Sequence, residues 1–198
     1  MMSISSSRHP AQPNSVQIFY PLSTVRCDGP VLFRDQLARD IACILDVDND
    51  IVSWSCRSFA LTQDGQTYRP DFHVHRADCS FLVDGVREEV APEWVREQAA
   101  RADLSYETVK SSELPPVRLR NAKDLLRYAR HEAPLSDRIR LLAALDECSS
   151  LTVAEALIVF RETKPVAGLA SMILHRFVTI DLDDRLIGPE TVIRRKRD

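Results

Sequence analysis

The chain has 198 residues, 44% hydrophobic and 28% charged, with a formal net charge of -3. This is an ordinary globular composition, enough for one domain or two small ones. It excludes a uniformly basic nucleic-acid coat. No run reaches the roughly 18 consecutive apolar residues of a membrane span, so no membrane partner is expected. The charge is uneven: residues 1–115 hold 11 Lys and Arg against 17 Asp and Glu, whereas residues 116–198 hold 15 against 12. The basic excess ends in Arg194, Arg195, Lys196 and Arg197.

The opening MMSISSSRHPAQPN lacks the apolar core of a secretory signal. A partly disordered leader over residues 1–29 and a cytoplasmic location are expected. Five cysteines, an odd number with none at C-x-x-C spacing, read as free thiols in a reducing compartment.

VLFRDQLARDIACILDVDND predicts a helix, with Phe33, Leu37, Ile41, Ile44 and Leu45 at three- and four-residue spacing. IVSWSCRSFAL alternates like a half-buried strand. Asp64-Gly65 marks a hairpin. Strands follow over 66–75, with Pro70 at an edge or irregularity, and over CSFLV. APEWVREQAARADL predicts a helix and SYETVK a fourth strand, which the helix allows to pair parallel with the third. SSELPPVRLR reads as a loop or linker with paired prolines.

Beyond it, a helix capped by Asn121, a helix over LSDRIRLLAALDEC, a third capped by Thr152 and a fourth started by Pro165 are expected. Two short strands around an acidic turn close the chain. Three helices and a hairpin match the order of a winged helix-turn-helix, in which PVAGLASMILHRF is the recognition helix and DLDDRLIGPET the wing. Residues 30–115 thus form an α/β domain and residues 116–198 a mainly α, winged-helix-like domain. Candidate DNA contacts are His175 and Arg176, late in that helix, with Arg194, Arg195, Lys196 and Arg197.

Acids at the ends of neighbouring strands can hold a hard cation, which lowers the pKa of a water and stabilises phosphodiester cleavage. Asp71 and Asp84 have this disposition, 13 positions apart. His73 and His75 share a strand face, but no third ligand is evident, and they read as surface or core histidines.

Tyr68-Arg69-Pro70-Asp71-Phe72, the preceding Asp64-Gly65, the helix ending Leu45-Asp46-Val47-Asp48 and the acid closing the next strand resemble the TnsA-like endonucleases of cut-and-paste transposons. The likeness spans about Phe33 to Arg195. It implies a PD-(D/E)xK core on a restriction-endonuclease-like mixed sheet. It also implies Mg²⁺ or Mn²⁺ on Asp71 and Asp84 as catalytic acids, and partners comprising DNA, a DDE-type transposase and an AAA+ regulator.

The chain departs from that pattern. The family's Glu-Ser-x-x-Glu-Arg-Asp is Arg34-Asp35-Gln36-Leu37-Ala38-Arg39-Asp40 here, which places Ala38 at the helix Glu. The acid-x-Lys is Asp84-Gly85-Val86. Asp35 and Lys110 are the candidates for a relocated acid and amine. The reading is a DNA-associated transposition protein with an impaired site. The alternatives are a live endonuclease with relocated groups and a stand-alone winged-helix regulator.

Overall fold

A computed structural model describes residues 17–87 and 91–197. The leader's MMSISSSRHPAQPN lies outside the described residues. From Pro21 onward the segment assigned to the leader is pinned. The Arg39 guanidinium donates to the carbonyls of Pro21 (2.6 Å) and Ser23 (2.9 Å), and Asp46 accepts from the backbone of Val25 and Arg26.

Helix α1 (Gln36–Val47) starts three residues later than the apolar spacing suggests. Asp35 is its N-cap and accepts from the Ala38 N–H at 2.9 Å, so Phe33 lies outside the helix. Phe33 packs instead against Trp54 and Phe72, with ring centroids 6.3 and 6.4 Å away.

Strands β1 (Ile51–Cys56), β2 (Leu61–Gln63), β3 (Gln66–Tyr68), β4 (Phe72–Arg76) and β5 (Ser80–Val86) follow. Asp64 and Gly65 have φ of 49° and 78°, and their two-residue turn pairs β2 with β3. Helix α2 (Glu93–Arg101) then crosses to β6 (Ser105–Lys110), which runs parallel to β5. The four-stranded mixed sheet has the order β1-β4-β5-β6.

Period-two alternation divides the sheet's residues between two layers. Phe72, Val74, Phe81 and Val83 pack on Leu37, Ile41 and Leu45 of α1. Leu82 packs on Val95 and Ala99 of α2, with Leu61 and Tyr106. Gly85 faces α1, where an added Cβ would meet Ile41 Cδ1 and Leu37 Cγ at 3.0 Å. The glycine is required by helix–strand approach.

SSELPPVRLR is a short connection only to Pro115, and its second half is helical. One 3₁₀ turn over Ser111–Glu113 leads into helix α3 (Pro116–Leu126), with a proline at its first position. Asn121 is therefore not a cap but an interior residue of α3, 2% exposed.

Helix α4 (Leu135–Cys148), strand β7 (Leu151–Thr152) and helix α5 (Val153–Val159) follow. Thr152 caps α5 as predicted, in a reciprocal box with Glu155. Helix α6 (Pro165–Leu174) and strands β8 (Val178–Ile180) and β9 (Val192–Arg195) complete the chain, and the small sheet has the order β7-β9-β8. None of the described helices is long and apolar enough to cross a membrane.

The two halves share a core. Cys43 of α1 packs with Ala122, Leu125 and Leu126 of α3 and Ala170 and Leu174 of α6. Lys123 pairs with Asp40 at 2.7 Å, and the Arg26 guanidinium donates to the Leu174 carbonyl at 3.0 Å.

Candidate acid site

Asp71 lies just before β4 and Asp84 near the end of β5, antiparallel neighbours that bring them together. Both are buried, at 4% and 1% exposure. The Asp71 N–H donates to Asp84 Oδ1 at 2.7 Å. Asp84 Oδ2 accepts from the hydroxyls of Tyr68 at 2.9 Å and Tyr106 at 2.6 Å. Asp71 Oδ2 accepts from the Gly85 N–H at 3.0 Å and from the Arg34 guanidinium at 2.9 Å.

Burial pushes the Asp71 carboxyl up to about 6, and the nearby Asp84 adds to this, whereas the Gly85 N–H and Arg34 oppose it. The Tyr68 hydroxyl is pushed up to about 12 by burial and by the Asp84 carboxylate it donates to, and Tyr106 is raised for the same reasons. Both phenols therefore remain hydrogen-bond donors at neutral pH.

The arrangement does not fit a divalent ion. Three of the four carboxylate oxygens are engaged by N–H or O–H donors, which leaves few lone pairs for a metal. Among the described residues, no three His, Cys, Asp or Glu side chains come together as a metal group.

Ala38, at the register of the family's glutamate, is 1% exposed and belongs to the apolar layer between α1 and the sheet. Val86, at the register of its lysine, is 8% exposed. The groups considered for relocation are otherwise placed. Asp35 is occupied as the helix cap and lies 3.4 Å from Arg87. Lys110 sits level with Val86 on the parallel strand, and its side chain is exposed.

Sequence reasoning missed Arg34, Tyr68 and Tyr106 as partners of the acids. Tyr68 stood within the motif that drew attention to Asp71. Arg34 precedes the cap Asp35 by one residue, and its one signal was a basic residue at the first glutamate of the motif the chain resembles.

The histidine pair is a local tilted contact, with the ring planes 55° apart. The rings of His73 and His75 are 4.2 Å apart, and His73 lies edge-on to Phe59 at 5.3 Å. Burial lowers the His73 pKa and favours a neutral ring.

The DNA-contact candidates divide. Helix α6 buries Ala167 through Met172 and Leu174, and the side it leaves partly open, through Val166 and Ile173, is apolar, so it offers no polar face to a groove. His175 is its exposed C-cap, and Arg176 follows at φ 60°. The Arg176 guanidinium turns inward and donates to the carbonyls of Asp48 (2.6 Å) and Ile51 (2.5 Å), joining the two halves.

The acidic turn expected as a wing folds back on α3. Leu182 is buried, and Asn121 Nδ2 donates to the carbonyls of Leu182 and Arg185 at 2.9 Å. Asn121 Oδ1 accepts from the Ile187 N–H at 3.0 Å. Arg194, Arg195 and Arg197 are exposed, Lys196 is half-buried, and Arg195 pairs with Asp146.

No protein-family model matches the chain, and no curated protein matches it.

Proposed function

We propose that this chain is a non-cutting relative of the TnsA-like endonucleases, acting by binding DNA within a transposition assembly. A DDE-type transposase and an AAA+ regulator are the partners this reading carries. The observation that supports it best is the engagement of three of the four acid oxygens by protein donors. Asp71 and Asp84 are the acids that the resemblance would make catalytic, yet three of their four oxygens are held by peptide N–H groups, two tyrosine hydroxyls and an arginine. The buried Ala38 and Val86, at the registers of the missing glutamate and lysine, point the same way.

Phosphodiester hydrolysis needs groups poised where charge develops, and loss of one such stabiliser lowers the rate by on the order of 10²–10³. DNA binding falls to the exposed basic end of β9 and the residues after it, since α6 is packed and Arg176 is occupied.

Supercoiled plasmid incubated with the full chain and Mg²⁺ or Mn²⁺ should be nicked no faster than with Asp71→Ala. Duplex DNA titrated at several salt concentrations should bind. Binding should weaken in a variant with Arg194, Arg195, Lys196 and Arg197 all changed to Ala, and the salt slope should flatten by about 0.9 for each phosphate no longer neutralised. Cleavage that depends on Asp71 would overturn the non-cutting reading. Absence of duplex binding at low salt would overturn the DNA-binding one.

A further inference from the structure

Two oxygens from different parts of the sheet converge on one nitrogen. Arg34 Nη2 lies 2.9 Å from Asp71 Oδ2 and 2.5 Å from the Gly85 carbonyl oxygen. A carboxylate oxygen and a peptide carbonyl oxygen are the hard donors that Mg²⁺ and Mn²⁺ take. A guanidinium satisfies the same acceptors through hydrogen bonds and carries its charge at every physiological pH.

The position of Arg34 is set from both sides. Phe33 before it is packed on Trp54 and Phe72, and Asp35 after it caps α1. Its side chain is 47% exposed, whereas that of Asp71 is 5% exposed, so the arginine covers the acid from the solvent side. Asp35, a further carboxylate close to this point, is committed to the Ala38 N–H and lies beside Arg87.

We propose that Arg34 is a resident cation, holding Asp71 and the Gly85 carbonyl in place of a divalent ion and closing the site to metal. This deepens the non-cutting reading above and rests on it for its biological meaning, although not for its test. Removing the guanidinium frees the Gly85 carbonyl and one acceptor direction of Asp71 Oδ2 without a compensating cation, and a carboxylate beside a peptide carbonyl attracts a divalent ion.

The test uses the full chain and Mn²⁺ alone, followed by loss of the free-ion electron paramagnetic resonance signal. Arg34→Ala should take up one Mn²⁺ at least tenfold more tightly than the wild type. Arg34→Ala with Asp71→Asn should lose that gain. Arg34→Gln, which keeps a neutral donor and similar bulk, should show the gain in smaller measure, and it keeps the question open to test if the alanine variant does not fold. Mn²⁺ should raise the melting temperature of the Arg34 variants and leave that of the wild type unchanged.

A wild type that binds one Mn²⁺ as tightly as the variants would overturn the proposal. So would folded variants that gain nothing. If no variant gains Mn²⁺ and the wild type leaves plasmid intact, the role of Arg34 falls alone. If the wild type cuts plasmid through Asp71, the functional reading falls with it.

Discussion

Replacing Asp84 by alanine distinguishes an acid that holds the fold together from one kept for a metal. The wild-type carboxylate accepts three hydrogen bonds, from the Asp71 N–H at 2.7 Å and from the hydroxyls of Tyr68 and Tyr106 at 2.9 and 2.6 Å. A hydrogen bond to a charged group contributes about 1.5–3 kcal/mol net, and a buried donor left without a partner costs about 1–3 kcal/mol. The Asp71 N–H is buried and loses its partner outright, whereas water can reach the half-buried tyrosines. Against this loss stands the relief of repulsion between two neighbouring carboxylates, which Arg34 already offsets in the wild type.

The hydrogen bonds win in this balance, and Asp84→Ala should destabilise the chain by about 3 kcal/mol. Asp84→Asn keeps the acceptor for the Asp71 N–H and should cost less than half as much. Urea denaturation at pH 7.5 reads this directly, as a lower midpoint at unchanged slope. Acids retained for function behave oppositely, because their removal relieves strain the fold tolerates for activity. An Asp84→Ala chain as stable as the wild type, or more so, would refute the structural role given to this carboxylate.

Two further outcomes follow from the same site. Ala38→Glu, alone or with Val86→Lys, should not rebuild a cutting site. Ala38 lies in the apolar layer, where overpacking and an unpaired carboxyl together cost on the order of 3–5 kcal/mol, visible as a large fall in the urea midpoint and no gain in nicking. The stability of the wild type relative to Asp71→Asn should fall as pH rises from about 4 to 7, by up to about 3 kcal/mol. The Asp71 carboxyl titrates at about 6 when folded and near 3.8 when unfolded, so its stabilising contribution is complete below the lower value and lost through the upper one. Denaturation of both proteins across this range checks it, and a constant difference would show that burial does not raise Asp71.

The sheet was legible because its signals are local. Asp64-Gly65 dictates a two-residue turn, Trp54 and Cys56 alternate with polar residues, although a register irregularity at Ile51–Ser53 buries Ile51 and exposes Val52, and a helix between two strands permits parallel pairing. Thr152 and Pro165 marked helix starts for equally local reasons. The failures share one cause, which is that the deciding partner lies far along the chain. Asn121 looks like a cap in isolation, since its side chain suits one, but its bonds go to Leu182, Arg185 and Ile187. Paired prolines suggest a linker, although a proline is equally at home in the first turn of a helix, and the apolar residues of α3 find their partner in α1. PVAGLASMILHRF has the order of a recognition helix, but recognition needs a polar exposed face, and its run of buried small and apolar residues is that of a central packing helix.

The acid site shows the same division. Asp71 and Asp84 stand out because their spacing and strand ends are sequence features. The contacts of Arg34 do not, because a backbone carbonyl has no letter in the sequence and Arg34 sits 51 positions from the one it binds. That Ala38 and Val86 stand where the resemblance leads one to expect a glutamate and a lysine is a feature of the sequence, whereas the contacts of Arg34 appear only in three dimensions. The presence of both acids is then no evidence of catalysis. Asp84 positions the Asp71 backbone and two tyrosines, and Asp71 anchors the Gly85 N–H and Arg34, so either acid has a structural reason to remain.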